Sequence, residues 1–176
     1  MQDPTETRPV VYDLDGTLVR LPVDWGAAAE DAAEALRDAG VDPDGTDLWG
    51  LLELASETGT VDAFEAAVGA HEREAARESA RLPLANELAE STGPVGVCSL
   101  NCEAACREAL AVHGLTDRVD AVIGRDSVAT HKPDPEPLLA TLSAMGVEPA
   151  SAEFVGDSER DEVAARRAGV SFRWVE

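Results

Sequence analysis

Four places in the chain hold side chains that could do chemistry. Asp13-Leu14-Asp15 ends a short apolar run, Val10-Val11-Tyr12, and Gly16-Thr17 then breaks it. If the pleat of a strand continues through the run, Asp13 and Asp15 share one face, because side chains alternate with period two. Two carboxylates that close repel each other unless a cation lies between them. Hard oxygen ligands of this kind suit Mg²⁺. Taken alone, Asp13 to Gly16 also read as a strand ending in an Asp-Gly turn with two solvated acids. Ser99 closes a second apolar run, Val95 to Ser99. A hydroxyl at a strand end, just before a helix, can bind phosphate together with the helix's free N–H groups. The plainer alternative makes Ser99 a turn residue and Asn101 an N-cap.

Lys132 lies in Thr130-His131-Lys132-Pro133-Asp134-Pro135 and is the only lysine of the chain. A compact ammonium and a planar guanidinium are not interchangeable. A single lysine among so many arginines points to a task that Arg does not do. Asp157 follows Phe154-Val155-Gly156. At a strand end it can face Asp13 and supply a third oxygen group for Mg²⁺. Asp161 also completes an S-x-x-D capping box with Ser158.

The elements that must position these residues alternate in type. Strands are expected at Val10 and Val11, and over Val95–Ser99, Val119–Ile123, Glu153–Val155 and Val170–Val175. Helices are expected at 84–92, from Asn101 to His113, after Asp134 up to Gly146, and from Ser158 to Ala168. Gly114 and Gly169 close two of them, and Pro135 and Pro137 fit the first turn of the one that Asp134 caps. Strands alternating with helices imply a parallel sheet covered on both faces. Residues 20–82 interrupt that pattern with three helices and no strand signal. The first runs from Asp24, an N-cap, to Gly40; the second covers Leu48 to Ser56 and ends at Gly59; the third opens at Thr60 or Val61. The insert therefore reads as a small helical cap. His71 lies on the apolar stripe of the third helix and reads as a packing histidine. Arg20 is the insert cation nearest the first acid pair.

The four motifs, in this order, resemble those of the haloacid dehalogenase-like (HAD) superfamily: Asp13-Leu14-Asp15-Gly16-Thr17, Ser99, Lys132-Pro133-Asp134-Pro135, and Gly156-Asp157-Ser158-x-x-Asp161-x-x-Ala164-Ala165-x-x-Ala168-Gly169. The resemblance implies a Rossmann-like parallel five-stranded sheet, with a catalytic core over 1–19 and 83–176 and a cap over 20–82. It implies Mg²⁺-dependent hydrolysis of a small phosphate monoester, phosphoglycolate being the first guess. Asp13 would be the nucleophile and Asp15 the general acid and base. Ser99, the Leu100 backbone N–H and Lys132 would hold the phosphate. Asp13, Asp157 and the Asp15 carbonyl would hold Mg²⁺, with Asp161 orienting metal water or the lysine. Leu100 departs from the Asn or Gly common at its position, which removes any side-chain role there. Hexose-phosphate mutases of this family carry a cap histidine where this chain has Trp25, and dehalogenases lack the second Asp. A non-catalytic phosphate-binding protein would be expected to have lost a motif residue, and none is lost.

Size and charge bound the rest. The chain has 176 residues, enough for one core with a small insert. Its 35 acids against 14 Lys and Arg give a net charge of −21, which disfavours nucleic acid and anionic membranes as partners. The composition resembles that of proteins from salt-loving microbes. There is no apolar run long enough for a membrane span, and Met1 to Pro9 lacks the basic and apolar regions of a signal peptide, so a cytoplasmic protein is expected. Cys98, Cys102 and Cys106 read as small core residues in a reducing compartment rather than a zinc site, which would want a fourth ligand.

Overall fold

The computed structural model describes residues 7–176; most of the N-terminal stretch read above for a leader lies outside them. In chain order the elements are β1 (Val10–Tyr12), β2 (Val19–Arg20), α1 (Trp25–Asp38), α2 (Leu48–Thr58), α3 (Val61–Arg77), β3 (Ala80–Arg81) and α4 (Leu84–Glu90). There follow β4 (Val95–Cys98), α5 (Glu103–Val112), β5 (Ala121–Ile123), α6 (Glu136–Met145), β6 (Glu153–Gly156), α7 (Glu159–Ala168) and β7 (Ser171–Trp174).

Five strands form one sheet in the order β5-β4-β1-β6-β7. Every pairing in it is parallel. The period-two alternation divides the buried side chains between two layers. Tyr12, Val97 and Val155 face a core shared with α4 and α5. Val11 and Phe154 face the opposite core, built with Leu138 and Leu142 of α6 and Ala165 of α7. The expected α/β architecture, a parallel five-stranded sheet with helices on both faces, is what the chain adopts. β1 lies at the centre, so its carboxyl end is the natural place for side chains from several strands to meet.

The insert has its own small core. Ala28, Ala32 and Leu36 recur every four residues along α1 and are all buried. α1 packs with Leu51, Leu52 and Ala55 of α2 and with Phe64 and Val68 of α3. Asp24 and Asp47 cap α1 and α2, each accepting a backbone N–H through its carboxylate. One expectation fails here. The insert was expected to hold no strand, yet β2 and β3 pair antiparallel, with Val19 opposite Arg81 and Arg20 opposite Ala80. The chain leaves and re-enters the core at neighbouring points, so its two arms run side by side. Two residues each, largely exposed, are too few to show an alternating pattern.

Smaller differences have local causes. α5 starts at Glu103 rather than Asn101, because Asn101 bonds elsewhere and Cys102 takes the cap position without a side-chain bond. α4 stops at Glu90, where Ser91 turns extended ahead of Gly93-Pro94. Pro135, not Asp134, takes the N-cap position of α6; Asp134 lies one residue earlier and its carboxylate accepts the Glu136 N–H at 2.9 Å. Among the described residues, no helix is long and apolar enough to cross a membrane.

Candidate active site

β1 ends one residue before Asp13, whose N–H donates to the Val155 carbonyl of β6 at 2.9 Å. That bond anchors Asp13 between the central strands. Its side chain is buried, and its Oδ1 accepts from Lys132 Nζ at 2.9 Å. Lys132 is itself only 1% exposed. Its other two N–H bonds go to the Cys98 carbonyl at 2.9 Å and to Asp161 Oδ1 at 2.6 Å. An ammonium has three donors, and all three are committed. The structure thus places Lys132 against the two acids, and a direct bond to phosphate requires it to exchange one of them.

Asp161 is buried at the first turn of α7 and does two jobs. It completes the capping box with Ser158, and its other oxygen bonds Lys132. Gly156 makes room for it: a Cβ there would fall 2.5 Å from Asp161 Oδ2. Gly16 does the same for Asp157. It holds φ at +83°, and a Cβ would stand 2.0 Å from Asp157 Oδ2. The Asp-Gly turn after β1 is therefore a cradle for the carboxylate at the end of β6.

One carboxylate oxygen from each of Asp13, Asp157 and Asp161 lies within 4.8 Å of the others. Burial pushes the Asp13 carboxyl up from 3.8 to about 7; Lys132 pulls it down, while Asp161 and Asp157 push it further up. Burial also raises Asp157, with Asp161 adding to the shift. For Lys132, burial opposes the charge, but Asp13 and Asp161 outweigh it and hold the pKa above its ordinary value. Three acids around one lysine are short of positive charge. Hard oxygens crowded to this extent fit a divalent cation such as Mg²⁺. Asp15 stands apart from the cluster. Its carboxylate accepts the Leu21 N–H at 2.9 Å, and burial raises its pKa.

Ser99 is buried at the end of β4. Its Oγ donates to Asn101 Oδ1 at 3.1 Å and accepts the Asn101 N–H at 3.0 Å. Asp13, Asp15, Ser99, Leu100, Lys132, Asp157 and Asp161 all line one cleft of about 200 Å³. The seven positions singled out in the sequence thus come together.

The family match covers residues 61–175, against the description "Haloacid dehalogenase-like hydrolase". This chain belongs to that family. A relative named phosphoglycolate phosphatase, from Cereibacter sphaeroides, is 33% identical over 184 residues, spanning 93% of this chain and 82% of its own length. The fold resembles that of a protein from Lactobacillus plantarum described as a phosphoglycolate phosphatase, with a TM-score of 0.67 at 23% identity over 96% of this chain and 86% of that one. It also resembles CbbY from Rhodobacter sphaeroides, solved with xylulose-(1,5)bisphosphate, with a TM-score of 0.67 at 18% identity over 95% and 85% of the two chains. The protein is a HAD-type phosphatase.

Sequence reasoning missed a second charged cluster beside the first. Arg125, just after β5, bonds Glu65 through Nε and Nη2 at 2.9 and 2.7 Å and Glu72 through Nη1 and Nη2 at 2.8 Å each. Nη1 also donates to the Leu100 carbonyl at 3.0 Å. Glu72 is fully buried and accepts in addition from Asn101 Nδ2 and the Cys102 N–H. Asn101 is therefore neither an N-cap nor idle, since it links Glu72 to Ser99. A signal was present. Phe64, Val68 and Glu72 follow at four-residue intervals, which puts a glutamate on the buried stripe of α3. His71, the residue noticed instead, is half-buried and bonds Asp31 at 2.6 Å within the insert. Arg20 is exposed and does not line the cleft. The three cysteines are free and buried, as expected of core residues.

Proposed function

We propose that the protein hydrolyses a small phosphate monoester in two steps through an aspartyl-phosphate. The observation that carries this reading is Asp13: a buried strand-end carboxylate, ion-paired to a buried lysine, with two more carboxylates beside it. An Asp13 oxygen attacks phosphorus, and the P–O bond to the alcohol breaks. Asp15 gives its proton to the leaving oxygen. It then takes a proton from the water that attacks phosphorus, which breaks the acyl-phosphate bond and restores the Asp13 carboxylate. The raised pKa of Asp15 suits a group that must carry a proton between the two steps. Lys132 keeps positive charge beside Asp13, and Asp161 holds the lysine in place. The Leu100 N–H is a phosphate donor in this reading, and so is Ser99 once its O–H turns from Asn101 Oδ1 to the phosphate.

Asp13, Asp157 and the Asp15 carbonyl would hold Mg²⁺, which when bound offsets charge on the phosphate oxygens. The three free, buried cysteines are in keeping with a reducing, cytoplasmic setting. The division into a core of 1–19 and 83–176 and a cap over 20–82 belongs to the same reading, supported by the separate insert core and the β2–β3 ribbon at its neck. Trp25 lines the cleft where the mutases of this family carry a histidine, which supports hydrolysis over mutase chemistry. Incubation with p-nitrophenyl phosphate tests the reading. Nitrophenolate should appear with Mg²⁺, stop with excess chelator and return when Mg²⁺ is restored. Full turnover in chelator overturns the metal assignment, and no turnover with Mg²⁺ overturns the hydrolase reading.

A further inference from the structure

The part of the cleft away from Asp13 is unusual for so acidic a chain. The protein has three tryptophans and three phenylalanines. Two of the tryptophans, Trp25 and Trp49, and one phenylalanine, Phe64, line this one cleft together with Leu48. They come from all three helices of the insert. Trp25 remains 40% exposed, among the largest apolar side chains left to solvent. Trp49 is braced, with His131 stacked at 5.5 Å and the Arg160 guanidinium 4.8 Å from its ring centre. A fixed ring and a free one therefore border the space that the ester's alcohol would enter.

Among the described residues lining the cleft there are two cations, Lys132 and Arg125, against four carboxylates. A guanidinium has five N–H donors. Arg125 spends all five, on Glu65, Glu72 and the Leu100 carbonyl. Lys132 spends its three on Asp13, Asp161 and the Cys98 carbonyl. Neither has a donor left for an anion on the alcohol side. A carboxylate brought there loses its water and finds acids and aromatic rings instead, which is costly.

We propose that this cleft selects phosphate monoesters of uncharged alcohols bearing an aromatic or similarly flat apolar group, over esters of hydroxy acids. The proposal rests on the phosphatase reading and sharpens it. It also separates this chain from what the name of its relatives suggests, since phosphoglycolate carries a carboxylate on its alcohol.

The test has a turnover arm and a binding arm. Phosphate release from benzyl phosphate, ethyl phosphate and phosphoglycolate is measured with Mg²⁺, and the phosphonates benzylphosphonate and phosphonoacetate are titrated calorimetrically. Burying one ring predicts a kcat/KM for benzyl phosphate about tenfold or more above ethyl phosphate, with phosphoglycolate lowest. Benzylphosphonate should bind more tightly than phosphonoacetate by a similar factor. Trp25→Ala should bring the benzyl-to-ethyl ratio towards one, and Trp25→Phe should retain it. Phosphoglycolate turned over better than benzyl phosphate, or phosphonoacetate bound more tightly, overturns the substrate class while leaving hydrolysis standing. If no ester turns over but the phosphonates keep the predicted order, the selectivity stands and the hydrolase reading falls.

Discussion

Two knots of one cation and two carboxylates lie buried beside the same cleft. Lys132 joins Asp13 and Asp161 at 2.9 and 2.6 Å, and Arg125 joins Glu65 and Glu72 at 2.7 and 2.8 Å. They differ in what they leave over. Around Lys132 a third acid, Asp157, stands at the cleft, and burial keeps the Asp13 carboxyl up at about 7. Positive charge is short there, which is what a site needs if a cation and a phosphate are to be drawn in. Around Arg125 every donor is taken and Glu72 accepts four hydrogen bonds. Nothing remains for a ligand. That knot pins α3 of the insert to the loops after β4 and β5. Similar ingredients thus give a reactive site in one place and a rivet in the other, and the extra carboxylate beside Lys132, that of Asp157, tells them apart.

Removing each cation in turn is the sharpest way to break the comparison. Lys132→Met should cut kcat by about 10²–10³-fold, the order found when a group stabilising transition-state charge is deleted. Its stability cost should be the smaller of the two, because Asp13 can take up a proton. Arg125→Met leaves Glu72 buried without a counter-charge, which costs about 3–5 kcal/mol. Its kcat should fall far less than that of Lys132→Met. Urea unfolding and steady-state kinetics on the same preparations check both. If the two variants lose activity and stability in the same proportion, the division into site and rivet is wrong.

These two regions were unequally legible from sequence. The Lys132 knot could be read because its members sit at strand ends in spaced motifs, and because a lone lysine stands out. The parallel sheet was legible for a similar reason: apolar runs alternating with capped helices leave few other arrangements. The Arg125 knot joins residues 65, 72, 101 and 125, no two of which are linked by strand or helix spacing except the first pair. Arginines are common in this chain, so Arg125 carried no mark of its own. Only Glu72, an acid on an apolar stripe, gave a local sign. The β2–β3 ribbon escaped because its pairing is set by where the two arms leave the core, not by pattern.

A smaller effect follows from proton linkage. The folded Asp13 carboxyl lies above its ordinary value of 3.8, at about 7. The folded state therefore holds more protons than the unfolded chain between those limits. The contribution of Asp13 to stability is greatest below 3.8 and is lost as pH rises towards about 7. Asp13→Asn should lack this component. In chelator, the stability of the Asn variant relative to wild type should rise with pH across that window. Parallel pH profiles would show that Asp13 is not the strained group of its knot, and the contrast with Arg125 would lose its physical basis.

The most direct measurement is the position of the trapped phosphoryl group. The protein is mixed with substrate and Mg²⁺, quenched in acid within the first turnover, and mapped by peptide mass spectrometry. One phosphoryl group is expected, on Asp13, and none on Asp13→Asn, which should also have lost turnover. A phosphoryl group on Ser99, or an Asp13→Asn variant that still turns over at the wild-type rate, would contradict it.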